Sequence, residues 1–118
     1  MGRRLYSYIC YGVDLTGYEY EEAYESLCAE YDVALYFEHP FDAMGYGNLD
    51  LMEFALDGKK CTMLYSQSIE YSEFDEKAIS IDPLELVATE EEKEALVHIC
   101  KALNVDVEPQ WYLCGSFI

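Results

Sequence analysis

Residues 5–13 read Leu-Tyr-Ser-Tyr-Ile-Cys-Tyr-Gly-Val, and neither side of this segment is polar. In an extended chain successive side chains alternate between two faces. Leu5, Ser7, Ile9, Tyr11 and Val13 then share one face, and Tyr6, Tyr8, Cys10 and Gly12 the other. A strand that is largely apolar on both faces belongs in the interior of a sheet.

The rest of the pattern supplies partners for that strand. Thr16-Gly17-Tyr18-Glu19 has capping-box spacing and predicts a helix start. Tyr20, Ala23, Tyr24, Leu27, Cys28 and Tyr31 follow as an apolar stripe of helical period. That stripe buries Tyr24 and Leu27 and leaves Glu22 and Glu25 in solvent. Residues 33–38 read as a short strand, and residues 39–48, with Pro40, Gly45 and Gly47, as a connector. Residues 49–56 and 60–66 flank Asp57-Gly58, the strongest short hairpin signal in the chain. Residues 67–76 are polar and acidic and are assigned to no element. Residues 77–82, stopped by Pro83, are a further candidate strand.

Thr89 and Glu92 repeat the capping-box spacing ahead of a second stripe, Leu96, Ile99, Cys100 and Leu103, and Asn104 is placed to stop that helix. Residues 110–117 close the chain as a strand. Tyr8-Ile9-Cys10-Tyr11-Gly12 is echoed by Tyr112-Leu113-Cys114-Gly115, which places the first and last strands centrally, side by side, with small residues making room for a helix above them. The expectation is a two-layer α+β fold: a mixed or antiparallel sheet of five to six strands with two amphipathic helices. A ferredoxin-like βαββαβ core with an added strand fits this order, as does another small α+β arrangement. No linker or composition break divides residues 1–118, so a single domain is expected.

Charge narrows the choice of partner. The chain has 24 acidic and 7 basic residues, a net charge of −17. Residues 5–58 contain no lysine or arginine but twelve carboxylates. Self-repulsion of that size opposes compaction. Disorder is still not expected, because disordered acidic chains are poor in aromatic and branched residues, and this one is 52% hydrophobic with twelve tyrosines. A salt-adapted surface is another source of such charge, but it does not call for five cysteines. Cys10, Cys28, Cys61, Cys100 and Cys114 are odd in number, lack CxxC spacing and sit among apolar residues. They read as reduced thiols of a cytosolic protein. The first residues have no secretory h-region, Tyr6 stands where a myristoylation pattern wants Ser or Thr, and no apolar run approaches the ~20 residues of a membrane span. A cytoplasmic, unanchored protein is expected.

Catalytic chemistry has few carriers here. His39 and His98 are the two histidines. His98 and Cys100 are two apart on a helix and point in different directions, a poor nucleophile pair. His39 with Glu38 and Asp42 is a thin set of metal ligands. With 24 carboxylates, some pair always looks suited to acid–base work. The chain has no calcium loop, glycine-rich phosphate loop, Gly-x-Ser-x-Gly or His-Glu-x-x-His. Neither a metal nor a cofactor is expected. Arg3-Arg4 and Lys59-Lys60 are isolated pairs on a background that repels phosphate, so direct nucleic-acid binding is disfavoured.

The carboxylates themselves are then the candidate binding groups. Glu19, Glu22, Glu25 and Glu30 share one helical face. Glu70, Glu73, Asp75 and Glu76 form a second cluster, and Glu90, Glu91, Glu92 and Glu94 a third. Tyr18 and Tyr46 are expected to be exposed and to add hydroxyls and stacking faces. A surface kept soluble by charge can mix both signs, and this one scarcely does. In size and charge alone the chain resembles the small acidic proteins that imitate DNA among phage and mobile-element inhibitors of restriction and CRISPR enzymes. No motif assigns it to them. The expectation is a non-enzymatic inhibitor or binding protein that engages the basic groove of a nucleic-acid-binding enzyme or complex. An acidic interaction subunit with no nucleic-acid-related partner would instead show a large exposed apolar patch. A small enzyme would show a deep pocket at Cys61, His39 or His98.

Overall fold

The computed structural model describes residues 5–15, 17–34, 39–56, 59–72, 84 and 86–117. The elements are β1 (Leu5–Asp14), α1 (Tyr20–Glu30), α2 (Pro40–Ala43), β2 (Asp50–Leu56), β3 (Lys59–Ser72), α3 (Glu90–Ala102) and β4 (Gln110–Phe117). The strands form one antiparallel sheet in the order β2-β3-β1-β4. β1 is paired along both edges, as its two apolar faces require. β4 lies antiparallel beside it as expected, with Tyr8 opposite Cys114 and Cys10 opposite Tyr112; its expected central place is corrected, because among the described residues it pairs only with β1 and forms the edge of the sheet.

Four strands stand among the described residues where five or six were expected. Val33 and Ala34 are not in a strand, and the rest of the 33–38 candidate lies outside the described residues, as does the 77–82 candidate. β3 is longer than its apolar pattern, running to Ser72 through the polar stretch assigned to no element. Its first half pairs with β2 and its second half with β1. A ladder on β1 therefore carries residues 67–72 into the sheet despite their polarity, an instance of tertiary context overriding pattern. Leu56 pairs with Lys59; Asp57-Gly58, the expected hairpin turn, lies outside the described residues. The 39–48 connector contains a helical turn, α2, with Pro40 at its first position, where a missing N–H costs nothing.

The core divides by strand parity. Val13, Leu51 and Leu64 face α1 and α3, packing with Leu27, Leu96, Ile99 and Leu103. The alternate residues Cys10, Phe54 and Met63 are buried in a second cluster with Tyr8, Cys61, Tyr112 and Cys114, all from strands. Cys10 therefore faces away from the helices, and the expectation that it makes room for one is corrected. Cys10 donates to Ser68 Oγ at 3.7 Å. The neighbouring thiols act on each other: Cys114 lowers Cys10 against the upward push of burial, while Cys10 and then burial raise Cys114.

Gly12 is also small for another reason. The register between β1 and β3 slips between Tyr11 and Gly12, where Tyr11 pairs with Gln67 and Gly12 with Tyr65. Ser66 is the extra residue of a β-bulge. A Cβ on Gly12 would overlap the Leu64 carbonyl oxygen and approach Tyr65 Cα to 2.8 Å. The glycine admits the backbone of β3, and the bulge re-aims the residues beside it. Ser66 Oγ donates to Glu92 Oε2 at 2.6 Å, and Gln67 Nε2 donates to the same oxygen at 3.0 Å.

Glu92 thus joins α3 to the sheet while completing the capping box. Its backbone N–H donates to Thr89 Oγ1, and its Oε1 accepts from the Thr89 N–H, both at 3.2 Å. Burial pushes its carboxyl up, but the bonds from Ser66, Gln67 and Thr89 outweigh burial and leave it below the usual range. A depressed carboxyl contributes stability above its unfolded-state pKa and loses it as pH falls through the folded-state value. Glu92→Ala is expected to cost about 2 kcal/mol near neutral pH, where the charged acceptor holds its donors. The gap between the two proteins' unfolding free energies should narrow as pH falls below the ordinary glutamate range of about 4. A gap that widens on acidification would contradict this account of Glu92.

The α1 start differs from its expected form. Glu19, not Thr16, is the N-cap, and no side chain caps it. Both long helices end alike: Asp32 and Asn104 take positive φ, 53° and 58°. Val33 N–H then reaches Cys28 O, and Val105 N–H reaches Cys100 O, each at 2.8 Å. These bonds close Schellman-type ends. Asn104 does stop its helix.

Candidate partner-binding face

Burial of Ala23, Leu27 and Cys28 fixes the rotation of α1. Glu19, Glu21, Glu22, Glu25 and Glu30 are all left exposed. At 1.5 Å per residue, the stretch from Glu19 to Glu30 rises about 16 Å. The five carboxylates are separated by axial steps of about 3, 1.5, 4.5 and 7.5 Å, a dense but uneven set of charges on the solvent side of the helix. Glutamates three and four apart repel by a few tenths of a kcal/mol each. α1 is therefore held by its buried stripe, not by its surface. Glu21 and Glu22 gain from the helix dipole, while Glu30, in the last turn, does not.

Few cations answer this charge. Among the described residues the one ion pair is Lys93 with Glu108, at 3.5 Å and largely exposed. Such a pair contributes ~0–1 kcal/mol.

The other expected binding residues are scattered. Glu70 is exposed on β3, and Glu90 and Glu91 are exposed in the first turn of α3 with Glu94 beyond them. Glu73, Asp75 and Glu76 lie outside the described residues. Glu92 is engaged with β3 and is not a free surface group. Tyr18 and Tyr46 depart from the expected exposure. Tyr18 is half-buried and donates its hydroxyl to Leu103 O at 2.7 Å, tying the start of α1 to the end of α3. Tyr46 is half-buried, with its ring 6.2 Å from Tyr31 and 5.8 Å from His98.

Two open clefts flank α1. One, of about 550 Å³, is lined by Glu19, Tyr20, Glu21, Leu51, Met52, Glu53 and Lys60. The other, of about 330 Å³, is lined by residues that include Tyr20, Tyr24, His39, Phe41, Asp42 and Asp50. Tyr20 belongs to both. Its ring lies 5.0 Å from Tyr24, edge to face, and Tyr24 lies 5.8 Å from Phe41. Tyr24 donates its hydroxyl to Asp50 Oδ1 at 2.8 Å, and Leu51 N–H donates to the same oxygen. Burial, then that bond to Asp50, pushes the Tyr24 hydroxyl well above its usual range, so it stays a donor. Periodicity marks Tyr20 and Tyr24 only as stripe residues. Nothing local marks Asp42, Asp50 or Glu53, which reach the clefts by tertiary packing.

Burial keeps Cys61 and Cys100 protonated. Cys61 donates to Asp14 Oδ1 at 3.4 Å, and burial, then the Asp14 charge, pushes it up to about 11. Burial alone pushes Cys100 up to about 11. His98 is exposed while Cys100 faces the core, so the two point apart. His39 is exposed at the N-cap position of α2 and makes no side-chain capping bond. Among the described residues, no three His, Cys, Asp or Glu side chains converge to hold a metal. No described helix is long and apolar enough to cross a membrane. No protein-family model, curated protein or solved structure matches the chain.

Proposed function

We propose that the protein is a non-enzymatic binding protein that occupies the basic, nucleic-acid-binding groove of a partner and presents the outer face of α1 in place of phosphates. The observation that carries this reading is the dense set of exposed carboxylates from Glu19 to Glu30 on the solvent side of α1, lacking an ion-pair partner among the described residues. The buried stripe and the Tyr18–Leu103 bond make that row rigid, and a rigid row loses less entropy on binding than a loop would. We read the chain order with the strand order β2-β3-β1-β4 as a ferredoxin-like core that serves as its scaffold.

Charge reversal tests the row. Exposed charges contribute modestly one at a time, so Glu19, Glu22 and Glu25 are changed to Lys together. The triple variant should keep its circular dichroism spectrum and lose capture of the partner. The wild-type complex should dissociate steeply as salt rises. A complex that withstands high salt would instead favour an apolar interface. Leu113, 79% exposed on the edge strand β4, would be the first residue to change in that case.

A further inference from the structure

We infer that the smaller cleft beside α1 receives an arginine side chain of the partner. This rests on the reading above and goes further, because it names a seat and a residue type. The row of carboxylates on α1 attracts any cation. The cleft adds walls. Tyr20, Tyr24 and Phe41 line about 330 Å³ together with Asp42 and Asp50. That volume is at the lower end of the ~300–1,000 Å³ typical of ligand clefts. A planar guanidinium stacks on aromatic faces and forks onto carboxylates, whereas an ammonium is a strongly hydrated point charge. Asp50 is held in place, since Oδ1 already accepts from Tyr24 Oη and Leu51 N. The neighbouring cleft already contains a cation, Lys60, among its lining residues, and the smaller one contains no lysine or arginine. Charge complementarity draws a cation to the cleft, and the aromatic wall selects arginine over lysine.

The test uses two probes, acetyl-arginine amide and acetyl-lysine amide, titrated into the intact protein while backbone amide shifts are followed. The arginine probe should give saturable shifts at Tyr20, Tyr24, Phe41 and Asp50. Its affinity should exceed that of the lysine probe about two- to fivefold, the range expected for a cation on an exposed ring. Tyr20→Leu should remove the preference. Asp42→Asn, at an exposed position, should weaken the arginine probe without touching the core. Equal affinities for the two probes, or shifts spread without saturation over the exposed glutamates, would overturn the proposal. The two readings fail separately. Loss of partner capture in the triple charge reversal with no arginine preference would leave the acidic row standing and remove the cleft. Arginine binding with capture unaffected by the reversal would do the opposite.

Discussion

Gly12→Ala should cost about 3 kcal/mol or more, the upper range for forcing atoms into a packed site. The added Cβ would meet the Leu64 carbonyl oxygen and the Tyr65 backbone, not the yielding end of a side chain. Relief requires β3 to move away from β1 at the bulge. That movement pulls on Ser66 and Gln67, which hold Glu92 and so the start of α3. One methyl group thus disturbs the central strand pair and the attachment of a helix. Against a total stability of ~5–15 kcal/mol, this is a large fraction. Chemical denaturation compares the variant with Glu94→Ala, an exposed change on α3 that should stay within about 0.5 kcal/mol. Equal stability of Gly12→Ala and wild type would show that the two backbones are not in close approach.

Leu27→Ala should cost about 2–5 kcal/mol. Leu27 is fully buried in the cluster that joins α1, α3 and the helix-facing side of the sheet. It also fixes the rotation of α1, so its loss loosens the row of carboxylates. Glu22→Ala, on the opposite face, should change stability by no more than about 0.5 kcal/mol. A melting temperature unchanged by Leu27→Ala would mean that α1 is rotated differently and that its acidic face is not the one described.

Much of the fold is legible where a local pattern and the tertiary environment agree. β1 reads as interior from its own residues and is paired on both edges. The box of Thr89 and Glu92 and the stop at Asn104 are local chemistry, and both form. Residues 67–72 are not legible as strand, because their place comes from pairing with β1. Gly12 is ambiguous in sequence, since a small residue admits a helix or a backbone equally well. Thr16 and Glu19 show the limit of spacing alone: they have the separation of a capping box, yet α1 begins beyond Glu19. The acidic row on α1 follows directly from the buried stripe. The clefts do not, because Asp42 and Asp50 meet Tyr20 and Tyr24 only through the chain's return at α2 and β2. Tyr18 and Tyr46 read as exposed because tyrosine tolerates both settings. Contacts with Leu103, and with Tyr31 and His98, decide otherwise.

The central claim is that the outer face of α1 takes the place of a nucleic-acid backbone. The most direct measurement forms the complex of the captured partner with fluorescently labelled duplex or guide nucleic acid and titrates in this protein while following anisotropy. The claim predicts complete displacement by the wild type at low salt, progressively weaker displacement as salt rises, and none by the Glu19, Glu22 and Glu25 to Lys variant. A stable ternary complex, with partner, nucleic acid and this protein bound together at undiminished affinity, would contradict it.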